Sequence, residues 1–139
     1  MKTDIEQARE ALVGHSIALV RDGALITRDA RGISPMLDLL SEGVKLFGYA
    51  AADQIVGRAA AMLFTLAGIH TVHARVISRP ALAYLLSHGI YCRYECLTEH
   101  IINRKGDGIC PMEAAVLCTE DAREAFSLLY RAREALRKG

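Results

Sequence analysis

The sequence predicts an α/β fold, a three-layer α-β-α sandwich around a mixed five-stranded sheet. Three observations carry that reading. Asp22-Gly23 sits between two apolar runs, the strongest short hairpin signal a sequence offers. Behind it, strand-like and helical patterns alternate, as they do where crossover helices join parallel strands on both faces of a sheet. No repeat, linker or low-complexity stretch interrupts the 139 residues, so one domain over 1–139 is expected.

Thr3-Asp4-Ile5-Glu6 is a capping box. It opens a helix marked by Ile5, Ala8 and Leu12 that should stop at Gly14. "SIALVRDGALITRD" gives antiparallel strands of about 16–21 and 24–28. Ser34 is expected to cap the second helix, with Pro35 in its first turn and Gly43 soon after its end. "VKLFGY" reads as the third strand. Asp53 is then expected to cap a long helix over about 53–67, apolar around most of its circumference and therefore buried. "GIHTVHARVIS" is the fourth strand, with Val72, Ala74 and Val76 facing inward. Ser78 caps a helix carrying Leu82, Leu85 and Leu86 that ends at Gly89. "IYCRYECL" is the fifth strand, followed by a short helix near 98–103. A short helix over 111–118 and a last one from Thr119 to about Lys138 close the chain. The hairpin makes the sheet antiparallel at first, and the alternation makes its later strands mainly parallel.

Composition narrows the function. Apolar residues are 52% of the chain, too many for disorder. The net charge of +1 provides no field for nucleic acid or an anionic membrane. Arg131, Arg133, Arg137 and Lys138 are interleaved with Glu134 and read as a solvated face near a helix C-terminus. Residues 1–12 carry Asp4, Glu6, Arg9 and Glu10, unlike the core of a secretory signal. The most apolar stretch, Ala59 to Ile69, is too short to span a bilayer. A cytoplasmic protein with its four cysteines reduced is expected.

"ADQIVGRAAAML" and "HIINRKGDGICPMEAAV" resemble the signature segments of an uncharacterised prokaryotic family of unknown function. The structural relatives of that family have a cytidine-deaminase-like fold, so the resemblance implies that fold and leaves the activity open. Zinc deaminases place H-x-E on the helix after the hairpin and P-C-x-x-C on the next, three ligands holding zinc while the glutamate moves protons. The first position here reads "ISPMLD" and the second "AAADQIVG", without histidine or cysteine. Zinc-activated water is therefore not expected, and neither a metal nor another cofactor is assigned. Cys92 and Cys96 lie on one strand, roughly 13 Å apart at about 3.3 Å per residue, too far for one zinc with bonds of about 2.3 Å. Together with Cys118 they read as core.

In open α/β sheets ligands bind beyond the carboxyl ends of strands, near helix N-termini. That rule selects Ser34 at one helix start, and Asp53, Gln54, Gly57 and Arg58 at another. Asp53 suits a ribose hydroxyl and Arg58 a phosphate, so the leading expectation is a small-molecule domain for a nucleotide or ADP-ribose-like ligand. Asp53 as a plain cap and Gly57 as a packing residue is the alternative reading of the same positions. In "GDGICPME", Pro111 suits a first helical residue, which makes Cys110 its N-cap. Free amides there favour a thiolate, and Glu113 or His100 would be its base in a thiol enzyme. A small buried cysteine at a turn is the competing reading. Asn103 and Arg104 precede the loop as candidate ligand contacts. A third class is a regulatory or scaffold protein whose apolar surface makes a homodimer or larger oligomer.

Overall fold

The computed structural model describes residues 1–103 and 105–138. In chain order its elements are α1 (Asp4–Ala11), β1 (Ile17–Arg21), β2 (Ala24–Arg28), α2 (Ser34–Ser41), β3 (Ala50–Val56) and α3 (Arg58–Ala67). There follow β4 (Thr71–Ser78), α4 (Arg79–Ser87), β5 (Tyr91–Thr98), α5 (Pro111–Ala115) and α6 (Ala122–Lys138). The five strands form one sheet in the order β2-β1-β3-β4-β5. Pairing is antiparallel from β2 through β1 to β3 and parallel from β3 through β4 to β5. The mixed sheet follows from the hairpin and the alternation that the sequence displays.

The sheet separates two cores. Ala8 and Leu12 of α1 pack on Ala18, Val20 and Ala52. The opposite face holds the larger core, where Leu19, Ala51, Val72, Ala74 and Ile77 meet apolar residues of α2, α3, α4 and α6. That gives the three layers. The predicted caps at two helices are formed: the Thr3 and Glu6 capping box is complete, and the Ser78 hydroxyl accepts from the Ala81 amide at 3.2 Å.

Several expectations fail in the middle of the chain. "VKLFGY" is not a strand. Gly48 takes a left-handed φ of 80°, and the Tyr49 amide donates to the Leu46 carbonyl at 3.0 Å, closing a turn. The third strand is "AAADQIV" instead, so Asp53 and Gln54 lie on β3 and cap nothing. Alanine favours helix, but β3 is central, paired on both sides and covered on both faces. Tertiary context overrides that preference, and small side chains let α1 and α3 approach the sheet. Helix α3 therefore begins at Arg58, with Gly57 as its N-cap, so Gly57 lies outside the helix and Arg58 at its first position rather than in its interior.

Other boundaries shift as well. Ile33 is the N-cap of α2, so Ser34 is its first residue and makes no side-chain cap bond. No helix forms over the described residues near 98–103; Ile102 makes an isolated antiparallel bridge with Ile109. Cys96 and Cys118 are exposed, not core, and Cys92 is half-buried. The cause for the β5 pair is position, because β5 is an edge strand.

The parallel strands share one irregularity. Ala51, Val72 and Cys92 border the larger core, and so do Val56, Ile77 and Leu97 further along the same strands. Those positions are separated by an odd number of residues, so strict alternation slips once in each strand. Gln54, Arg75 and Glu95 fall out of the paired register, which locates the slip. It lies next to Asp53.

Candidate functional site

Of the predicted site residues, Gly57, Arg58 and Glu113 come together at the carboxyl end of β3. They surround the start of α3. Its first amides, unpaired within the helix, do not wait for a ligand. The Arg58 amide donates to Glu113 Oε1 at 2.7 Å, and the Ala59 amide donates to Oε2 at 2.7 Å. Glu113 of α5 is thus a cap supplied by another element. Its charge suits the positive end of the α3 dipole.

Gly57 makes this possible. A Cβ built there would lie 2.6 Å from Glu113 Cδ. The backbone at Gly57 is extended, with φ −96° and ψ 178°, a region any residue adopts. The missing side chain therefore serves space rather than backbone freedom. What the glycine makes room for is the Glu113 carboxylate.

Arg58 is also engaged inside the protein. Its guanidinium donates to the Val116 carbonyl at 2.6 Å and to the Thr119 carbonyl at 2.6 Å. It pairs with Glu120 at 2.8 Å and lies 5.5 Å from the Tyr84 ring centre. The planar fork satisfies main-chain acceptors between α5 and α6. An incoming phosphate would have to displace them, so the predicted phosphate role of Arg58 conflicts with its surroundings.

Asp53 is different. It is 7% exposed. It pairs in the ladder with Ile17 and Ala74, and paired residues share a face, so it lies on the side of the larger core. Burial pushes its carboxyl up to about 7, against the smaller opposite effect of the Ile55 and Gln54 amides. Near neutral pH such a group exists both as donor and as acceptor. Gln54 beside it donates to the His15 carbonyl at 3.0 Å and accepts from Arg75 at 3.1 Å.

Cys110 is the N-cap of α5, as predicted, and Glu113 is the third residue of that helix. The thiol makes no cap hydrogen bond. Glu113 spends both oxygens on α3, so the expected thiol–base pair has no free local carboxylate. Asn103 donates to Asp107 at 2.9 Å and accepts from its amide at 3.2 Å, holding the glycine loop closed. Arg104 lies outside the described residues. Among the described residues no three His, Cys, Asp or Glu side chains gather as a metal site. With the helix start moved, the segment beside the P-C-x-x-C position reads Gly57-Arg58-Ala59-Ala60-Ala61, again without a thiol or imidazole.

Sequence reasoning missed one pair. His73 on β4 is buried, and its Nε2 lies 3.2 Å from Glu95 Oε2 on β5. The alternation of polar residues in both strands was the available signal.

A family profile described as "TM1506: Domain of unknown function (DUF1893)" matches residues 8–131. The chain belongs to the DUF1893 family. A crystal structure of a DUF1893 family protein (TM1506) from Thermotoga maritima superposes with a TM-score of 0.82 at 24% identity. The match covers 94% of this chain and 91% of that one. Likeness at that identity concerns the fold. None of the curated proteins matches. No helix among the described residues is long and apolar enough to cross a membrane. The DUF1893 assignment therefore brings a fold without a chemistry, and any functional reading rests on this chain's own residues.

Proposed function

We propose that this DUF1893 protein binds a small, polar, nucleoside-like molecule, with Asp53 as the recognising group. The supporting observation is the burial of Asp53 at 7% exposure, with only main-chain amides among the described residues acting on its carboxyl. Two main-chain amides leave part of the hydrogen-bonding capacity of the carboxyl unused, and a ligand that pairs with the remainder offsets part of the cost of burial. A carboxyl held near pKa 7 can donate to and accept from the amide edge of a base, or accept from a sugar hydroxyl. Ser34 at the start of α2, Gln54, and Cys110 with Asn103 on the glycine loop are its companions in this reading.

The phosphate part of the sequence-based expectation is set aside. Glu113 occupies the α3 amides and Arg58 is tied to Val116 and Thr119. A nucleoside or free base therefore suits the arrangement better than a nucleotide or ADP-ribose. A thiol enzyme built on Cys110 is the weaker reading for the same reason. Four unpaired cysteines suit a reducing compartment such as the cytoplasm.

Thermal-shift and calorimetric titrations with nucleosides, their monophosphates and ADP-ribose test the proposal. The expected result is stabilisation by at least one nucleoside, no gain from its phosphate, and loss of binding in Asp53→Asn. No response to the whole panel, or equal binding by Asp53→Asn, would overturn it.

A further inference from the structure

We propose that β5 is the contact of a homodimer, in which two copies join edge to edge into one continuous sheet about a two-fold axis at Tyr94. β5 is a free edge of the sheet. Exposed edges invite pairing and are commonly blunted by short length, proline or repelling charge. β5 spans Tyr91–Thr98 in 8 residues without proline. It exposes Tyr91 and Tyr94, at 63% and 43%, residues enriched at protein contacts.

The charges choose the occupant and the register. In an antiparallel two-fold pair centred on Tyr94, Arg93 of each copy lies opposite Glu95 of the other. Arg93 pairs with His73 in the ladder and Glu95 Oε2 lies 3.2 Å from His73 Nε2, so despite the slip at Glu95 both charges lie on the side that carries His73. A slip by one residue puts each charge opposite an uncharged side chain. A slip by two puts Arg93 against Arg93 or Glu95 against Glu95, which repel. Of these registers the Tyr94-centred one alone sets both charges opposite a charge of the other sign, and a second copy of this strand supplies both at once. Glu95 gives Oε2 to His73, leaving Oε1 for the partner. The opposite edge, β2, reads "ALITR" and has one charge, so it lacks this self-complementarity.

Sedimentation equilibrium of the intact chain tests the proposal through charge reversal. The wild type is expected to dimerise. Arg93→Glu and Glu95→Arg each place like charges face to face twice, and each should weaken the dimer about tenfold or more. The double reversal Arg93→Glu/Glu95→Arg restores opposite charges and should restore the dimer. Mixing the two single variants should give a heterodimer by the same logic. Glu95→Arg also removes the His73 contact, but the double variant shares that loss, so its rescue isolates the contact between copies. Circular dichroism confirms that these surface variants fold. A wild type that stays monomeric at every soluble concentration, or a double variant no better than the singles, overturns the proposal.

Discussion

Asp53 gives the residue-scale picture its clearest prediction. Its carboxyl sits at about 7 in the folded chain against an ordinary value of 3.8, because burial penalises the charge. Below about pH 4 both folded and unfolded chains carry the proton, and the group leaves stability unchanged. Between about pH 4 and 7 the folded chain holds a proton that the unfolded chain has released, so stability falls as pH rises. Above pH 7 the loss is complete, at most about 4 kcal/mol for a shift of this size. Asp53→Asn should therefore match the wild type near pH 4 and exceed its stability at pH 8. Denaturant titrations across that range measure the gap, and parallel curves would contradict the buried-carboxyl account. The same logic separates Cys92 from a reactive thiol. Burial pushes it up to about 11, so it stays protonated at neutral pH and should alkylate slowly.

At the scale of elements, the contact that matters most is between α3 and α5. A Gly57→Ala side chain would collide with the Glu113 carboxylate, and Glu113→Ala would leave two α3 amides without their acceptor. Each change should cost on the order of 1–3 kcal/mol. The double variant should cost clearly less than the two together, because the added methyl then occupies the space Glu113 vacated. Additive costs in a double-mutant cycle would mean that Gly57 serves some other contact. This pairing also marks how far the sequence could be read. The Asp22-Gly23 turn, the Thr3 box and the Ser78 cap are local signals, and they placed β1, β2, α1 and α4 correctly. β3 failed because its alanines speak for helix, and only neighbours distant in sequence make them a strand. Asp53 and Arg58 were selected as special residues, but with the wrong roles, since one was assigned a cap and the other a helix interior. Nothing local announces that Glu113 caps a helix begun 55 residues earlier.

The whole molecule is closed by Arg58. The sheet and its crossovers form a nearly local succession, whereas α5 and α6 return from beyond the β5 edge to cover α3. Arg58 fastens that return by its bonds to Val116 and Thr119 and its pair with Glu120. The Arg133–Asp38 pair at 2.7 Å ties the same segment to α2. Arg133 is less well matched, because its buried Nε has no hydrogen-bond partner among the described residues, so Arg58 is the better-satisfied fastener. Arg58→Lys keeps the charge but cannot hold both carbonyls with a planar fork. It should cost on the order of 2–4 kcal/mol, given that bonds to charged groups are worth about 1.5–3 kcal/mol each and lysine recovers some of that. The loss should also be uneven. Hydrogen exchange should quicken first in α5 and α6, while the β1–β2 hairpin and α1, which supply none of the hydrogen-bond or ion-pair partners of Arg58 among the described residues, keep wild-type protection up to the global unfolding limit. Uniform acceleration throughout the chain would mean that the C-terminal helices are part of one cooperative unit with the sheet, and that Arg58 stabilises it without acting as a latch.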